Sequence, residues 1–286
     1  MAEILLSAFA DEYNKNIDLQ LEMLSRRGVK YIEPRFIGDK NVADLTVNEA
    51  NELKSKLDAM GISASAIGSP IGKINLADDF SAHLEKAKNT FEVASVLGAK
   101  NIRMFSFYIR DGESREQARD EVIDKLGRLL MLADEYSLTL CHENEAKIYG
   151  ETDEYCLDLL TVFDGKLRAV FDMGNFVLDG CTPYPTGYEM LKDYIEYFHI
   201  KDSLASGAIV PAGKGEARIA DILTAHKKYA KRDFFISLEP HLETFSGLNK
   251  LVGKSFENPY KFESPEAAFL SGLDALEEIL TGINQK

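Results

Sequence analysis

Leu138-Thr-Leu-Cys-His-Glu143 is a short apolar run that stops on a carboxylate, and the chain repeats that form three more times. Arg168-Ala-Val-Phe-Asp172, Ile195-Glu-Tyr-Phe-His199 and Phe234-Phe-Ile-Ser-Leu-Glu239 each end on a side chain able to bind a cation. The terminal residues are separated by 29, 27 and 40 positions, about one strand plus one helix each time. A closed barrel of alternating strands and helices delivers all its strand C-termini to one face. Glu143, Asp172, His199 and Glu239 are therefore expected to converge, as three carboxylates and one imidazole around a divalent cation.

Working outward from these segments, the rest of the chain reads as the same βα unit repeated. A first strand covers the N-terminus to about Phe9, and Ile17, Leu21 and Leu24 mark a helix over 14–27 that Gly28 stops. Val29–Ile32 is the second strand. Thr46-Val-Asn-Glu49 is a capping box opening a helix to Met60, and Ile62–Ile67 is the third strand. A helix from about Asp78 to Leu97 ends at Gly98, before a fourth strand from Lys100 to Phe105. Ser114-Arg-Glu-Gln117 caps a helix to Tyr136, and another spans 152–163. Residues 173–187, rich in Gly and Pro, read as a long loop leading to a short helix. A helix over 218–230 precedes the last strand. After a loop of about two dozen residues, Ser264-Pro265 opens a final helix to about Thr281.

That makes eight strands and eight helices, so the expected fold is α/β, a single (β/α)8 TIM barrel over residues 1–286. An open doubly wound sheet would want a glycine-rich turn after its first strand, where this chain has Phe9-Ala-Asp-Glu-Tyr13. At 286 residues and 45% hydrophobic the chain can fill one large core. Its net charge of −14 argues against nucleic acid as a partner. The basic residues Lys227, Lys228, Lys231 and Arg232 read as a solvated helix end. No stretch approaches the ~20 apolar residues of a membrane span, and the N-terminus lacks the basic region of a signal peptide. Three cysteines with no CxxC spacing point to a reduced, cytoplasmic compartment.

Strand alternation sharpens the metal reading. Counting back by two from each candidate ligand places Cys141, Thr139, Val170, Arg168, Tyr197, Ile195, Ser237 and Phe235 toward the barrel interior. Leu138, Leu140, Phe198, Ile200 and Leu238 then face the helices, and His142 packs beneath one of them. The donor set suits one divalent ion, Mn²⁺ or Mg²⁺ before Zn²⁺ or Co²⁺, because three oxygens to one nitrogen is a hard set.

His142-Glu143-Asn144-Glu145, Phe171-Asp172, Phe198-His199-Ile200-Lys201-Asp202 and Leu238-Glu239-Pro240 resemble motifs of the xylose isomerase-like sugar phosphate isomerase/epimerase superfamily, a likeness running from Ile4 to about residue 280. The resemblance implies a TIM barrel related to ketose 3-epimerases and to the apurinic endonucleases. It implies one divalent ion held by Glu143, Asp172, His199 and Glu239, with Glu143 and Glu239 also moving protons. Two departures stand out. Many members carry histidines where this chain has Glu145 and Asn175. The endonuclease branch needs further histidines, whereas this chain has five in all, with His83 and His226 on expected helices.

The residues themselves support proton transfer next to a ketose carbonyl, with a carboxylate from each of two strands acting on the carbon through an enediolate. Lys201 and His241 share parity with His199 and Glu239, and Glu33 and Arg103 end or lie in early strands, so all four are candidates to bind substrate; Arg35 is another. Gly68-Ser-Pro-Ile-Gly-Lys73 fails the Walker spacing, while Gly213-Lys-Gly-Glu216 is a candidate phosphate loop. With no Trp, sugar stacking falls to Phe9, Phe105 or Phe107. The leading expectation is a metal-dependent isomerase or epimerase of a small carbohydrate. A dehydratase of a cyclic polyol ketone and a non-catalytic sugar-binding barrel are the alternatives. Nucleic-acid and membrane partners are not expected, and homo-oligomerisation is left open.

Overall fold

The computed structural model describes residues 2–242 and 259–285. Strands β1 (Ile4–Ala8), β4 (Asn101–Met104), β5 (Thr139–Glu143), β6 (Arg168–Asp172), β7 (Ile195–Ile200) and β8 (Phe234–Leu238) form most of one parallel sheet in the order β1-β8-β7-β6-β5-β4. Strand β3 comes in two short pieces. Ala66–Ile67 extends the sheet beyond β4, and Ser63–Ala64 pairs with β2 (Tyr31–Ile32). Glu33 N–H donates to the Ala8 carbonyl at 3.0 Å, which brings the end of β2 back to β1 and closes the ring. The expected eight-strand barrel is present, with β2 and β3 as its shortest staves.

Helices α1 (Ile17–Arg26), α2 (Val47–Ala59), α3 (Phe80–Leu97), α4 (Arg115–Glu135) and α5 (Asp153–Val162) follow β1 to β5 in turn. Both expected capping boxes form, Thr46 with Glu49 and Ser114 with Gln117, satisfying amides that a helix start leaves without partners. Gly98 ends α3 at φ 75°, a conformation costly for any residue with a Cβ.

The stretch after β6 differs from the expected long loop. Met173–Leu178 is a helix, α6, and Tyr188–Leu191 another, α7. The Asp172 carboxylate accepts the Asn175 amide at 2.8 Å, so the last residue of the strand caps the helix that follows. Gly174, Pro183 and Pro185 masked that signal in the sequence. After β7 come α8 (Ile219–Tyr229), then β8 and α9 (Pro265–Asn284). The loop expected between Glu239 and Ser264 lies mostly outside the described residues.

The core has the two layers that strand alternation requires. Ala66, Cys141, Val170 and Tyr197 fill the barrel with half-buried Phe235 against them. Leu140, Phe171, Phe198, Ile200, Ile236 and Leu238 face the helices in the larger outer layer. Burying a side chain of this size stabilises by about 1.5–3 kcal/mol, so register along β5 to β8 is strongly fixed. His142 lies in the outer layer, its Nε2 2.9 Å from Ser106 Oγ, beside Cys156 of α5. All three cysteines are free thiols. Among the described residues, no helix is long and apolar enough to cross a membrane.

Candidate metal centre

The register that fixes the core also fixes the site. Glu143, Asp172 and His199 stand at the ends of neighbouring strands β5, β6 and β7, and Glu239 follows β8 directly. Each is at most 2% exposed. Each offers one ligand atom, and these four atoms lie within 4.8 Å of one another. Residues spread over almost a hundred positions of chain thus meet in one buried cluster.

Local chemistry explains why the ends hold still. Asn144 reaches across from β5 to β6: its Nδ2 donates to the Asp172 carbonyl at 2.9 Å, and its Oδ1 accepts the Asp172 amide at 3.0 Å. Asn175 Nδ2 donates to the Asn144 carbonyl at 2.9 Å. Asn175 therefore has a structural role at the position where a histidine was the expectation from the resemblance. Glu145, the other departure, receives Lys73 Nζ at 2.8 Å.

Three acids this close need positive partners. Two charges 4 Å apart interact by about 4 kcal/mol at an effective dielectric of about 20. Lys201 Nζ donates to Asp172 Oδ2 at 2.9 Å, Asn175 Oδ1 at 3.1 Å and Glu239 Oε2 at 3.2 Å. Arg103 donates from one terminal nitrogen to Glu143 Oε2 at 3.1 Å, and that nitrogen lies 3.8 Å from Glu239 Oε1. Arg35 ties Glu239 to Asp11 and Glu12 at 2.9–3.1 Å. His199 Nδ1 sits 2.9 Å from Glu143 Oε1 and 3.5 Å from Glu239 Oε2.

These neighbours set the protonation states. Burial alone would raise the Glu143 carboxyl, but His199 and Arg103 hold it down to about 2. Glu239 is likewise pulled well below the usual carboxylate range, burial being overcome by Lys201, His241, His199 and Arg35. Asp172 goes the other way. Burial pushes it up to about 6 against the pull of Lys201. Burial would lower His199, yet Glu143 and Glu33 raise it to about 10. Burial would also lower Lys201, and Asp172 and Glu239 reverse it.

The remaining sequence candidates divide. His241 turns toward Glu239, with Nε2 3.7 Å from Oε1, but its Nδ1 is 2.6 Å from Glu12 Oε1. Glu33 is fully buried beneath His199, where it accepts hydrogen bonds from Tyr197 and Ser237 rather than facing an open cleft. Phe9 stands edge-on to His199, with both Arg35 and Arg103 over its ring, and Phe105 carries Arg103 and Lys73. Phe107 packs instead on Phe80 and His83, away from the cluster. In the candidate phosphate loop, the amides of Gly213, Gly215 and Ala217 donate to the Asp202 carboxylate at 2.7–3.0 Å. Those donors are already engaged, so the loop wraps an internal anion.

Sequence reasoning gave no role to Asn144, Glu12, Asp11 or Ser237. Asn144 stood inside a quoted motif, and its place directly after a ligand was the available signal. Glu12 and Asp11 lie in a short turn with no periodicity to read.

The cage fits a divalent cation by its donor chemistry, with three carboxylates and one imidazole buried together and their ligand atoms within 4.8 Å of one another. Comparison with known proteins agrees with that architecture. The family model described as xylose isomerase-like TIM barrel matches residues 21–276. Among curated proteins, none matches. A crystal structure of the IOLI protein with a bound zinc atom superposes with a TM-score of 0.74 at 17% identity, covering 98% of this chain and 99% of that one. A D-tagatose 3-epimerase-like protein gives 0.71 at 16% identity, covering 99% and 98%. The probable 3-DHS dehydratase AsbF from Bacillus anthracis gives 0.68 at 17% identity, covering 90% and 100%.

Proposed function

This chain belongs to the xylose isomerase-like TIM barrel family, and we propose that it is a divalent-metal-dependent isomerase or epimerase of a small sugar, sugar phosphate or related ketose. The observation that carries the reading is the buried convergence of Glu143, Asp172, His199 and Glu239 at the strand ends. Glu143, Asp172, His199 and Glu239 would hold the ion. When bound, it polarises a ketose carbonyl and acidifies the adjacent C–H.

The chain's own groups would do the rest. Glu143 and Glu239 are held ionised by their cationic neighbours, so each starts as a proton acceptor rather than a donor. One takes the proton from the carbon beside the carbonyl and then, as the acid, returns it to the enediolate, or passes it through solvent or a substrate hydroxyl to the other carboxylate, which delivers it to the opposite face. A carboxylate so stabilised is a weak base, and its effectiveness must come from contact with the substrate carbon. Lys201 bridges Asp172 and Glu239 and Arg103 holds Glu143, which offsets the repulsion among the carboxylates and aims them. Phe9 and Phe105 carry the Arg103 guanidinium against their rings and help hold it beside Glu143.

The test is a panel of ketoses in ²H₂O with added Mn²⁺, Mg²⁺, Zn²⁺ or Co²⁺. Reaction would be followed by NMR for α-proton exchange and by mass for product composition. Exchange with conserved mass is the expected outcome. Loss of water from the product would replace isomerisation by dehydration, and no turnover by any metal form would leave only sugar binding. Elemental analysis of protein purified without chelator should find one divalent ion per chain, Mn²⁺ or Mg²⁺ before Zn²⁺.

A further inference from the structure

His199 has two ring nitrogens, and only one can face a metal. Its Nδ1 points into the carboxylate cluster, while Nε2 lies 3.3 Å from Glu33 Oε1 on the far side of the ring. Glu33 itself is fully enclosed. Tyr197 OH donates to its Oε1 at 2.9 Å, and Ser237 Oγ donates to its Oε2. The ring is boxed by Phe9 at 4.9 Å, edge-on, and by Tyr197 at 5.4 Å.

From this geometry we infer that Glu33 is a positioning residue for the metal centre, fixing the tautomer in which His199 carries its proton on Nε2 and offers the Nδ1 lone pair to the cation. The inference rests on the metal reading given above and adds to it a residue from the opposite side of the barrel.

The argument is one of hydrogen-bond arithmetic. To bind a cation the His199 ring must give up one of its two protons, and the neutral imidazole has one donor and one acceptor nitrogen. Carboxylates flank both edges of this ring, so without a preference either nitrogen could keep the proton. If Nδ1 kept it, the ring would donate to Glu143 and could not bind a cation. Glu33 already receives two hydroxyl donors, which fix its oxygens as acceptors and leave it complementary only to an N–H at Nε2. Carboxylate–histidine–metal chains of this kind orient the ring and raise its basicity. The backbone adds a further constraint, because the Glu33 amide makes the hydrogen bond that joins β2 to β1. Closure of the barrel and orientation of the ligand therefore depend on the same residue.

The test uses Glu33→Gln, which keeps the volume but can present an amide N–H₂ to Nε2. Zn²⁺ serves as a diamagnetic probe, titrated against a chromophoric chelator. Imidazole ¹⁵N shifts are read in parallel on the Zn²⁺-loaded proteins. The parent should bind one Zn²⁺ with a protected His199 Nε2–H and a metal-shifted Nδ1. Glu33→Gln should bind about 10- to 100-fold more weakly, the usual cost of losing such a partner, and should lose the protected Nε2–H signal. Tyr197→Phe, which removes one donor holding Glu33 but not the carboxylate, should show a smaller loss, and it decides the matter if Glu33→Gln does not fold. Parental Zn²⁺ affinity and parental ¹⁵N shifts in the folded variant would overturn the inference while leaving the metal site intact. A parent that takes up no Zn²⁺ at all would instead overturn the metal reading on which it rests.

Discussion

The two halves of the barrel contribute to the site in different ways. Strands β5 to β8 run five or six residues each, pair in parallel with one irregularity between Ile195 and Tyr197, and lead to the four candidate ligands. Strands β1 to β4 are more uneven. β2 is two residues long and β3 is broken at Ser65, and from this half come most of the surrounding supports, Phe9, Asp11, Glu12, Glu33, Arg35 and Arg103, while the counter-charge Lys201 follows β7. Ligands must share a point to within a bond length, so they sit where packing fixes position most rigidly. Charges that steer those ligands act over several ångströms and tolerate looser anchoring.

The comparison is tested most heavily at the packing of the ligand-bearing half. Phe198 is fully buried in β7 against Phe171, Phe234 and His226, directly before His199. Phe198→Ala should destabilise the protein by about 3–5 kcal/mol, read from urea unfolding midpoints. A loss below about 1 kcal/mol would mean that β7 is not the rigid stave described here.

Next in size is the chemistry itself. Glu239→Gln should keep some metal, because an amide oxygen still coordinates, yet lose about 10²-fold or more in turnover. Normal metal and substrate binding with near-parental turnover would reduce Glu239 to a ligand. The proton would then have to come from Lys201 or His241, both of which lie within 4 Å of its carboxylate.

The same division explains what the sequence could and could not reveal. Glu143, Asp172, His199 and Glu239 were legible because each closes an apolar run, and strand parity then sorted Cys141 and Tyr197 from Leu140 and Phe198, while Ile195, expected inside, packs in the outer layer where β7 is irregular. Lys201 was legible as a candidate by parity, but one of its three hydrogen bonds goes to Asn175 in α6, a helix the sequence did not show. Glu12 follows β1 and Arg35 follows β2 in irregular segments where no period links residue to direction, so Glu12 was unread and Arg35, named as a candidate for substrate, was not seen as the partner of Glu239. Glu33 was expected to meet substrate. It follows a two-residue strand whose inward lean only the closed ring defines, and it lies under the histidine instead. Helix α6 went unread because its cap is a candidate metal ligand, Asp172, and one residue served two signals.

Acid should weaken both halves together, with a smaller effect. His83 on α3 and His226 on α8 are lowered to about 4, in each case first by burial. The His83 Nε2 accepts the Gly72 amide at 2.8 Å, which only the neutral ring can do. Their folded values lie below the ordinary value of about 6.5, so the unfolded chain binds more protons as pH falls. Stability from these groups is therefore complete above about pH 6.5 and is lost progressively toward pH 4. For His226 the loss at pH 5 should be on the order of 1–2 kcal/mol. Urea midpoints at pH 7 and pH 5 measure it, and His226→Phe should flatten the difference. An unchanged slope in that variant would show that His226 is protonated or exposed in the folded protein.

The smallest effect should distinguish fold support from site support in the less regular half. The Arg35-bearing segment continues into a hairpin, Phe36–Ile37 with Lys40–Asn41, and Lys40 Nζ reaches both oxygens of Glu49 at 2.6–2.8 Å. Glu49 is also the reciprocal partner of Thr46 in the α2 capping box. Thr46→Ala removes the hydroxyl that receives the Glu49 amide and should cost about 1 kcal/mol. Turnover should stay within about twofold of the parent, because Arg35 is held to Asp11, Glu12 and Glu239 by its own ion pairs rather than by α2. Differential unfolding and steady-state rates on the same preparation separate the two. If Thr46→Ala instead lowers turnover in proportion to a shift of Arg35, the looser half is coupled to the catalytic cluster through the hairpin. The tolerance claimed for its charges would then be wrong.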